Sequence, residues 1–316
     1  MGAQNQTDVS DWSRSPARNS AWQDVDSVLL WIPVLLMFFG LIMVYSASIA
    51  LPDSPKYHNY SRYSFFIKHG LSIGIGFFVA FLGLKTPTET WQKLAPVGLV
   101  LAIILLIIVL IPHVGLRVNG ARRWLPLGIM NFQPSELMKL AACFYAADFC
   151  VRKNADIRDV TKGILPMVVV LGMVSLLLLL EPDMGALMVV AMVTLGVLFL
   201  GGVNYKVFAA LFATMVAAFA TLVIFTPWRA KRIFAYLNPW DEENALGGAY
   251  QLTQSLIAFG RGELWGQGLG ASVQKMFYLP EAHTDFIMAV IGEEFGLLGV
   301  WAVIAAFTLL VYKMFM

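Results

Sequence analysis

The chain has 316 residues, of which 59% are hydrophobic and 13% are charged, and its formal net charge is +2. Its mean hydropathy of +0.71 leaves too little polar surface to coat a soluble protein of this length, so the composition predicts a membrane protein. The small net charge, without a basic run able to follow a phosphate backbone, argues against nucleic acid as a partner.

Residues 1–26 are polar and lack the pattern of a cleaved signal peptide, which predicts a disordered cytoplasmic tail. The remaining chain, 27–316, is predicted to be an all-α, polytopic transmembrane helical bundle with about eight spans. The fourth span is unusual because Glu136, Lys139 and Asp148 are costly at mid-membrane unless they are paired or face a polar cavity. The apolar runs cover residues 27–48, 64–84, 95–112, 135–151, 163–180, 184–201, 205–227 and 285–313.

Basic residues concentrate in alternate connections, which predicts that these connections and the N-terminus are cytoplasmic. Counting spans from there places 49–63, 113–134, 181–183 and the long segment 228–284 outside. Polar sequences around 122–124, 181–183 and 283–285 are then predicted to share one face. The basic residues assigned to the cytoplasmic side are Arg14, Arg18, Lys85, Lys93, Arg152, Lys153, Arg158, Lys162 and Lys206, whereas Lys56, Arg62, Arg117, Arg122 and Arg123 fall outside.

The segment 228–284 carries two recognisable patterns. Apolar residues between Tyr250 and Phe259 recur at spacings that predict an amphipathic helix at the membrane interface. The glycine-rich run 260–270 follows no strand and precedes no Gly-Lys-Ser/Thr, so it is not expected to bind a nucleotide. A flexible loop that approaches a ligand or the bilayer surface is the interpretation we prefer.

Asp285 is the sharpest candidate for chemistry, because it lies where the long outer segment meets the last span. Its carboxylate could accept a proton from a hydroxyl nucleophile at the membrane surface. Alternatively, Thr284 caps the last span and Asp285 complements the helix dipole. An outer group of basic residues could bind an anionic ligand or lipid headgroups: Arg122, Arg123, Arg229, Lys231, Arg232, Arg261 and Lys275.

Other polar residues within the spans suggest pairing. Glu136 and Lys139 are three positions apart on one helix, which predicts an ion pair that is either structural or part of a polar cavity wall. Glu293 and Glu294 are expected near the inner half of the last span, paired with cytoplasmic basic residues. The four histidines lack metal-ligand spacing, which argues against a structural zinc site.

Four ordered segments resemble the shape, elongation, division and sporulation (SEDS) family. They are RRWL at 122–125 with QPSELMK at 133–139, EPDMG at 181–185, and YLPEAHTDFI at 278–287. The sequence YQLTQS at 250–255, followed by the glycine run, is most similar to the division branch of that family rather than to the elongation branch. The resemblance covers the chain after its N-terminal tail.

The resemblance implies a peptidoglycan glycosyltransferase that polymerises lipid II into β-1,4 glycan strands at the outer face of the bacterial cytoplasmic membrane, at the division septum. By matching motif, Asp285 corresponds to the catalytic aspartate, and Glu136 with Lys139 corresponds to a functional pair in the central cavity. The other matched positions, proposed as substrate-binding or cavity residues, are Arg123, Trp124, Lys275, Glu281 and His283.

The same resemblance implies partners and a possible cofactor. The substrate is lipid II, and the expected protein partners are a class B penicillin-binding protein transpeptidase and other divisome membrane proteins. A divalent cation, Mg²⁺ or Mn²⁺, could assist, with ligands unknown. The family has ten spans, so the last two are expected to be absent from this truncated chain. A lipid II transporter and a division-site scaffold are the alternatives.

Overall fold

The computed structural model describes residues 26–316 except 56, 119, 127, 129, 130 and 158. The basic residues Lys56 and Arg158 and the predicted disordered tail 1–26, with Arg14 and Arg18, therefore lie outside the described residues, except that Asp26 caps α1 by accepting a hydrogen bond from the Val28 N–H at 2.8 Å. The described chain is predominantly helical and carries one small β-sheet, which confirms the predicted all-α membrane fold. Its helices are α1 Ser27–Ser48, α2 Ser64–Lys85, α3 Thr88–Leu110, α4 Pro134–Arg152, α5 Leu165–Leu180, α6 Met184–Leu200, α7 Tyr205–Ile224, α8 Pro227–Leu237, α9 Glu242–Ala245, α10 Tyr250–Gly262 and α11 Ile287–Met314.

Each of the eight predicted spans corresponds to one of these helices. Within the described residues, six helices are long and apolar enough to cross a membrane: α1, α2, α3, α7, α11, and α5 together with the π-helical turn Val160–Ile164 that precedes it, which makes a continuous span Val160–Leu180 of 21 residues. The other two predicted spans are α6, which is apolar but has 17 residues, and α4, which carries both acidic and basic residues. The count of eight membrane crossings therefore depends on α4 and α6 and stays a prediction.

Several helix starts follow from local sequence. Asp183 caps α6 by accepting a hydrogen bond from the Ala186 backbone at 3.2 Å. Pro134 occupies the first turn of α4, where its missing N–H has no cost. The helix α3 begins at Thr88 rather than at residue 95, because its first turns are polar and lie outside the apolar run that the prediction followed.

The chain forms two compact units, here called the first and the second unit. The first unit comprises the described residues up to Lys85 together with Trp228–Met316. Its hydrophobic core joins α1, α10, α11 and the segment before α11, and includes Met43, Ala258, Leu279 and Val290. The second unit is Thr86–Pro227. Its two hydrophobic clusters join α3 to α6 around Leu106, Met138 and Leu178, and α4 to α7 around Phe149, Ile164 and Leu198.

The small sheet lies in the second unit between α3 and α4, and the sequence did not predict it. Its strands are β1 Leu116–Val118, β2 Ala121–Pro126 and β3 Asn131–Phe132, antiparallel in the order β1-β2-β3. Leu116 pairs with Trp124, and Leu125 pairs with Phe132. The sheet thereby fixes the backbone that carries Arg123 and Trp124.

Helix α11 is interrupted at Gly296, whose φ of 67° and ψ of −164° are not helical. Backbone groups of residues 263–268 form hydrogen bonds with the helix at this interruption. The N–H of Leu297 donates to the Glu263 carbonyl at 2.9 Å, and the N–H of Gln267 donates to the Glu293 carbonyl at 2.9 Å. Gly266 lies so close that a Cβ atom would come within 2.2 Å of the Glu294 carbonyl oxygen. Part of the glycine run therefore packs its backbone closely against α11. This contact corrects the interpretation of the run as a flexible loop.

Helix α10 confirms the predicted helix in the segment 228–284, but its packing differs from a simple interfacial helix. Its buried residues are small, Thr253, Ser255, Ala258 and Gly262, whereas Leu256 and Phe259 are exposed. A Cβ on Gly262 would approach the Gly292 carbonyl oxygen to 1.8 Å, so small residues are what allow α10 to lie directly on α11.

Candidate functional site

In the second unit, Arg123 on β2 binds the turn between α5 and α6. Its Nε donates to the Glu181 carbonyl at 3.1 Å, and a terminal nitrogen donates to the carbonyl of Pro182. Another terminal nitrogen lies 3.9 Å from Oδ1 of Asp183. The predicted proximity of the sequences around 122–124 and 181–183 is thus confirmed. The guanidinium group of Arg123 is occupied by this turn.

The same turn is tied to the start of α4. Oδ2 of Asp183 accepts hydrogen bonds from Nε2 of Gln133 at 3.0 Å and from Oγ of Ser135 at 3.1 Å, while its other oxygen caps α6. Three separate motifs therefore meet at one buried aspartate.

Glu181 is the residue of this cluster that sequence reasoning did not single out. Its side chain is fully buried, and neither carboxyl oxygen has a hydrogen-bond partner among the described residues. The pKa of Glu181 is raised to about 8, mainly by burial and also by the neighbouring Asp183, while Arg123 opposes the shift. Glu181 is therefore mainly protonated at neutral pH. The available sequence signal was an acidic residue placed immediately after an apolar span, in a connection too short to reach water.

Glu136 and Lys139 form the predicted ion pair on α4, with 2.8 Å between Nζ and Oε2. The Glu136 side chain is 58% exposed and that of Lys139 is 27% exposed, so the pair is accessible rather than sealed in a core. Trp124 lies half-buried on β2. All three residues belong to the second unit, and their roles toward a substrate stay predictions.

In the first unit, Asp285 is exposed and lies two residues before α11 begins at Ile287. Among the residues that the structure describes, none donates a hydrogen bond to its carboxylate or forms an ion pair with it. The alternative in which Thr284 caps the span is wrong, because the Thr284 hydroxyl donates to Glu281 instead, at 3.1 Å to its carboxylate. The capping position is held by Phe286. The carboxylate of Asp285 is thus available to accept a proton.

Glu281 and His283, two of the predicted site residues, lie in the turn just before Asp285. Glu281 adopts a positive φ of 57° and accepts the Thr284 hydroxyl, which closes a tight turn just before the aspartate. The ring of His283 packs edge-on against Phe65 at 4.8 Å between centroids. These contacts fix the backbone on the N-terminal side of the aspartate.

Lys275 is buried and already paired. Its ammonium lies 2.6 Å from Oε1 of Glu294 and 2.9 Å from Oγ of Ser46, whose hydroxyl donates to the same carboxylate oxygen at 2.7 Å. This cluster joins α1, α11 and the segment before α11. Because Glu294 neutralises the charge of Lys275, the Lys275 ammonium contributes little net positive charge to the binding of a ligand.

Glu293 is also fully buried and forms a second connection. Its carboxylate accepts the hydroxyl of Ser272 at 2.5 Å and the backbone N–H of Gln274 at 3.1 Å, and it lies 3.2 Å from Nε of Arg261. The prediction that Glu293 and Glu294 pair with cytoplasmic basic residues is therefore wrong. Their partners come from the segment 228–284, and both glutamates lie in the first third of α11 rather than in its inner half.

Together these contacts close a loop around Asp285. The Lys275–Glu294 and Ser272–Glu293 contacts join residues 272–275 to residues 293 and 294 of α11. Asp285 lies near the middle of the sequence that these contacts enclose. Leu279, Ala282 and Val290 fill the interior of the loop. An exposed carboxylate on a firmly anchored backbone is suited to general base catalysis.

The described residues do not supply an evident set of metal ligands. Within them, no group of three or more His, Cys, Asp or Glu side chains is arranged to hold a metal ion. The divalent cation that the resemblance implies, and the residues that would bind it, stay predictions.

Comparison with known proteins identifies relatives over most of the chain. The family described as cell cycle protein, FTSW_RODA_SPOVE, matches residues 27–316. The chain is 58% identical over 292 residues to the probable peptidoglycan glycosyltransferase FtsW of Burkholderia thailandensis, covering 92% of this chain and 63% of that protein. It is 49% identical over 302 residues to the protein of the same name from Thiomonas intermedia, covering 95% and 74%. The chain thus spans less than two thirds of the Burkholderia relative.

Solved structures share the fold. A structure described as "Structural coordination of polymerization and crosslinking by a peptidoglycan synthase complex" has a TM-score of 0.68 at 25% identity, covering 93% of this chain and 78% of the other. The rod shape determining protein RodA of Thermus thermophilus has a TM-score of 0.60 at 24% identity, covering 94% and 76%.

Proposed function

The chain belongs to the FTSW_RODA_SPOVE family of cell cycle proteins, and on that premise we propose that it is a peptidoglycan glycosyltransferase that polymerises lipid II. It is a multi-pass membrane protein. Within the proposal, it acts at the septum from the outer face of the bacterial cytoplasmic membrane. The observation that carries the chemical part is the exposed carboxylate of Asp285, which lies on an anchored turn and has no ion-pair partner among the described residues.

In the proposed reaction, the 4-hydroxyl of an acceptor N-acetylglucosamine attacks C1 of a donor N-acetylmuramic acid. Asp285 accepts the hydroxyl proton as the new bond forms, and undecaprenyl diphosphate leaves from the opposite side of C1. An α-linked diphosphate becomes a β-1,4 linkage in this single displacement, so no covalent sugar–enzyme intermediate is needed.

The leaving diphosphate gains negative charge in the transition state and requires stabilisation by positive groups. Arg261 and Lys275 already neutralise the buried carboxylates of Glu293 and Glu294. Lys139, whose partly exposed side chain is paired with Glu136, is a further candidate that the resemblance to the family supplies. Its contribution is part of the proposal.

The deciding experiment supplies purified lipid II to the purified protein in detergent and measures glycan strands. We expect Asp285→Asn to lower the polymerisation rate by about 10² to 10⁴, the usual contribution of a general base. The matched control is Asp241→Asn, which removes an exposed carboxylate of the same segment that makes no side-chain cap. Polymerisation by Asp285→Asn at the wild-type rate, with normal yield, would overturn the role of Asp285.

The same assay separates the transferase from a lipid II transporter. Detergent micelles have no two sides, so a transporter makes no product there, whereas a transferase does. Movement of lipid II between leaflets of liposomes, without polymer in either system, would favour transport. An inactive protein that still binds its division partners would favour a scaffold.

The proposed protein partner is a class B penicillin-binding protein that cross-links the new strands, with other divisome membrane proteins around it. Support comes from the similar solved structure, which is described as a complex that coordinates polymerization and crosslinking. Co-purification of the two membrane proteins after co-expression tests this partner. Separate elution under conditions that preserve both activities would contradict it.

A further inference from the structure

Helix α8 is a basic amphipathic helix that the mechanism does not use. Its sequence PWRAKRIFAYL holds three basic residues and no acidic residue. It begins at Pro227, three residues after the membrane-spanning helix α7 ends at Ile224. A helix so close to the end of a span must begin at the membrane boundary.

The two sides of α8 differ in their surroundings. Ala235 is buried and packs against Gly248, so this side of the helix faces the first unit. Ile233, Phe234 and Leu237 lie on the other side, and the last two are 68% and 76% exposed. Large apolar side chains in such positions are not explained by the protein itself, because they contact little of it. Their natural environment is the acyl region of a bilayer.

Lys231 and Arg232 precede the buried Ala235 by four and three residues and lie beside it on the helix, whereas Arg229 precedes Ile233 by four residues. Arg229 and Arg232 lie over the ring of Trp228, at 5.0 and 5.9 Å from its centroid. Lys231 forms an exposed ion pair with Glu243 at 3.1 Å. With the apolar side in the acyl region, these cations lie at the depth of the lipid headgroups, where exposed Trp228 and Trp240 are also favoured.

We propose that α8 is a binding surface for anionic phospholipids, with its apolar side inserted into the bilayer and its cations on the headgroup phosphates. The partner is assigned by charge complementarity, because a zwitterionic surface would satisfy the apolar side but would give no net attraction to Arg229 and Arg232, whose charges add to that of the Lys231–Glu243 pair. Phosphate oxygens suit the planar donors of Arg229 and Arg232. The proposal is independent of the glycosyltransferase activity.

The experiment uses the full chain in nanodiscs of phosphatidylcholine alone or of phosphatidylcholine with phosphatidylglycerol. A photoactivatable phosphatidylglycerol is cross-linked, and the labelled peptides are mapped by mass spectrometry. We expect labelling within Pro227–Leu237, and a loss of about tenfold to hundredfold in phosphatidylglycerol affinity for R229Q/K231Q/R232Q. The single variant Arg232→Gln should lose a smaller part, and high salt should weaken wild-type binding.

The matched control is K85Q/K93Q/K206Q, which removes three exposed cations elsewhere in the chain. It should retain the labelling of α8. Equal labelling by a photoactivatable phosphatidylcholine, or unchanged affinity in the α8 variants, would overturn the proposal. Competition by a polyprenyl diphosphate with no preference for phosphatidylglycerol would also overturn it, because the surface would then bind the lipid-linked diphosphate rather than a phospholipid.

Discussion

Nζ of Lys275 lies 2.6 Å from Oε1 of Glu294, and both side chains are almost wholly buried. This ion pair closes the loop that carries Asp285, and Ser46 of α1 completes its hydrogen bonding. Removing one member of a buried pair leaves the other charged and without compensation, which costs more than removing both.

Substitution of either residue alone should therefore be strongly destabilising. We expect Lys275→Met or Glu294→Gln to lower the free energy of unfolding by about 3 to 5 kcal/mol, and the double variant to recover part of that loss. Unfolding by a denaturing detergent, followed by circular dichroism, measures the effect. The exposed pair Lys231–Glu243 is the control, since its removal should cost less than about 1 kcal/mol. Additive losses in the double variant would contradict the coupling.

Two glycines of the run 260–270 should respond in opposite ways. Gly266 has a φ of 80° and would place a Cβ against the Glu294 carbonyl, so Gly266→Ala should destabilise by about 2 kcal/mol or more. Gly260 lies in α10 with open space around its Cβ position, so Gly260→Ala should be neutral or stabilising by up to about 1 kcal/mol. Melting temperatures in detergent compare them. Equal effects would mean that the loop does not pack on α11 as described.

Glu181 should make stability depend on pH. Its folded pKa of about 8 exceeds the ordinary value of 4.5, so between these values the folded state holds a proton that the unfolded state has released. Stability should therefore fall as pH rises from 4.5 to 8 and then level off. Glu181→Gln should remove this slope and be more stable than wild type at pH 8. Melting temperatures across this range test it, with the exposed Glu243→Gln as control; an unchanged slope in Glu181→Gln would contradict the assignment.

The accessible pair on α4 should matter more for activity than for stability. Because Glu136 is largely exposed, Glu136→Gln should change the free energy of unfolding by less than about 0.5 kcal/mol. If the pair acts on the substrate, lipid II polymerisation should nevertheless fall by at least about tenfold, in line with the loss of one charged contact. Lys153–Asp156, also an exposed pair three residues apart, provides the control. A parallel fall in stability and activity would assign the pair a structural role instead.

The positions of the spans could be predicted because, in a protein of this hydropathy, a long continuous apolar run has few structures open to it other than a membrane-spanning helix. The helix α3 was predicted too short because Glu89 and Lys93 lie within its first turns. The sheet β1-β2-β3 escaped prediction because its strands are very short and one carries adjacent arginines, which gives no alternation of polar and apolar residues.

The site residues stay predictions from the sequence, and the structure adds the partners of their side chains. Motif spacing brought attention to Asp285, Arg123 and Glu136, and span parity correctly associated Arg123 with residues 181–183. The partners of Glu293 and Glu294 could not be predicted, since the choice between Lys275 and a cytoplasmic base depends on how the outer segment folds back onto α11. The burial of Glu181 likewise depends on tertiary packing.

The interruption at Gly296 divides the last helix into two pieces that are connected mainly through another part of the chain. Leu297 and Leu298 begin the distal piece by donating to carbonyls of Glu263 and Leu264 instead of to the preceding turn. A neighbour that tilts the distal piece within the bilayer should therefore pull first on those carbonyls. Gln267 and Gly268 of the same segment donate to the carbonyls of Glu293 and Glu294. We expect a lateral force on the distal piece to reach these two buried glutamates through residues 263–268 rather than along the helix axis.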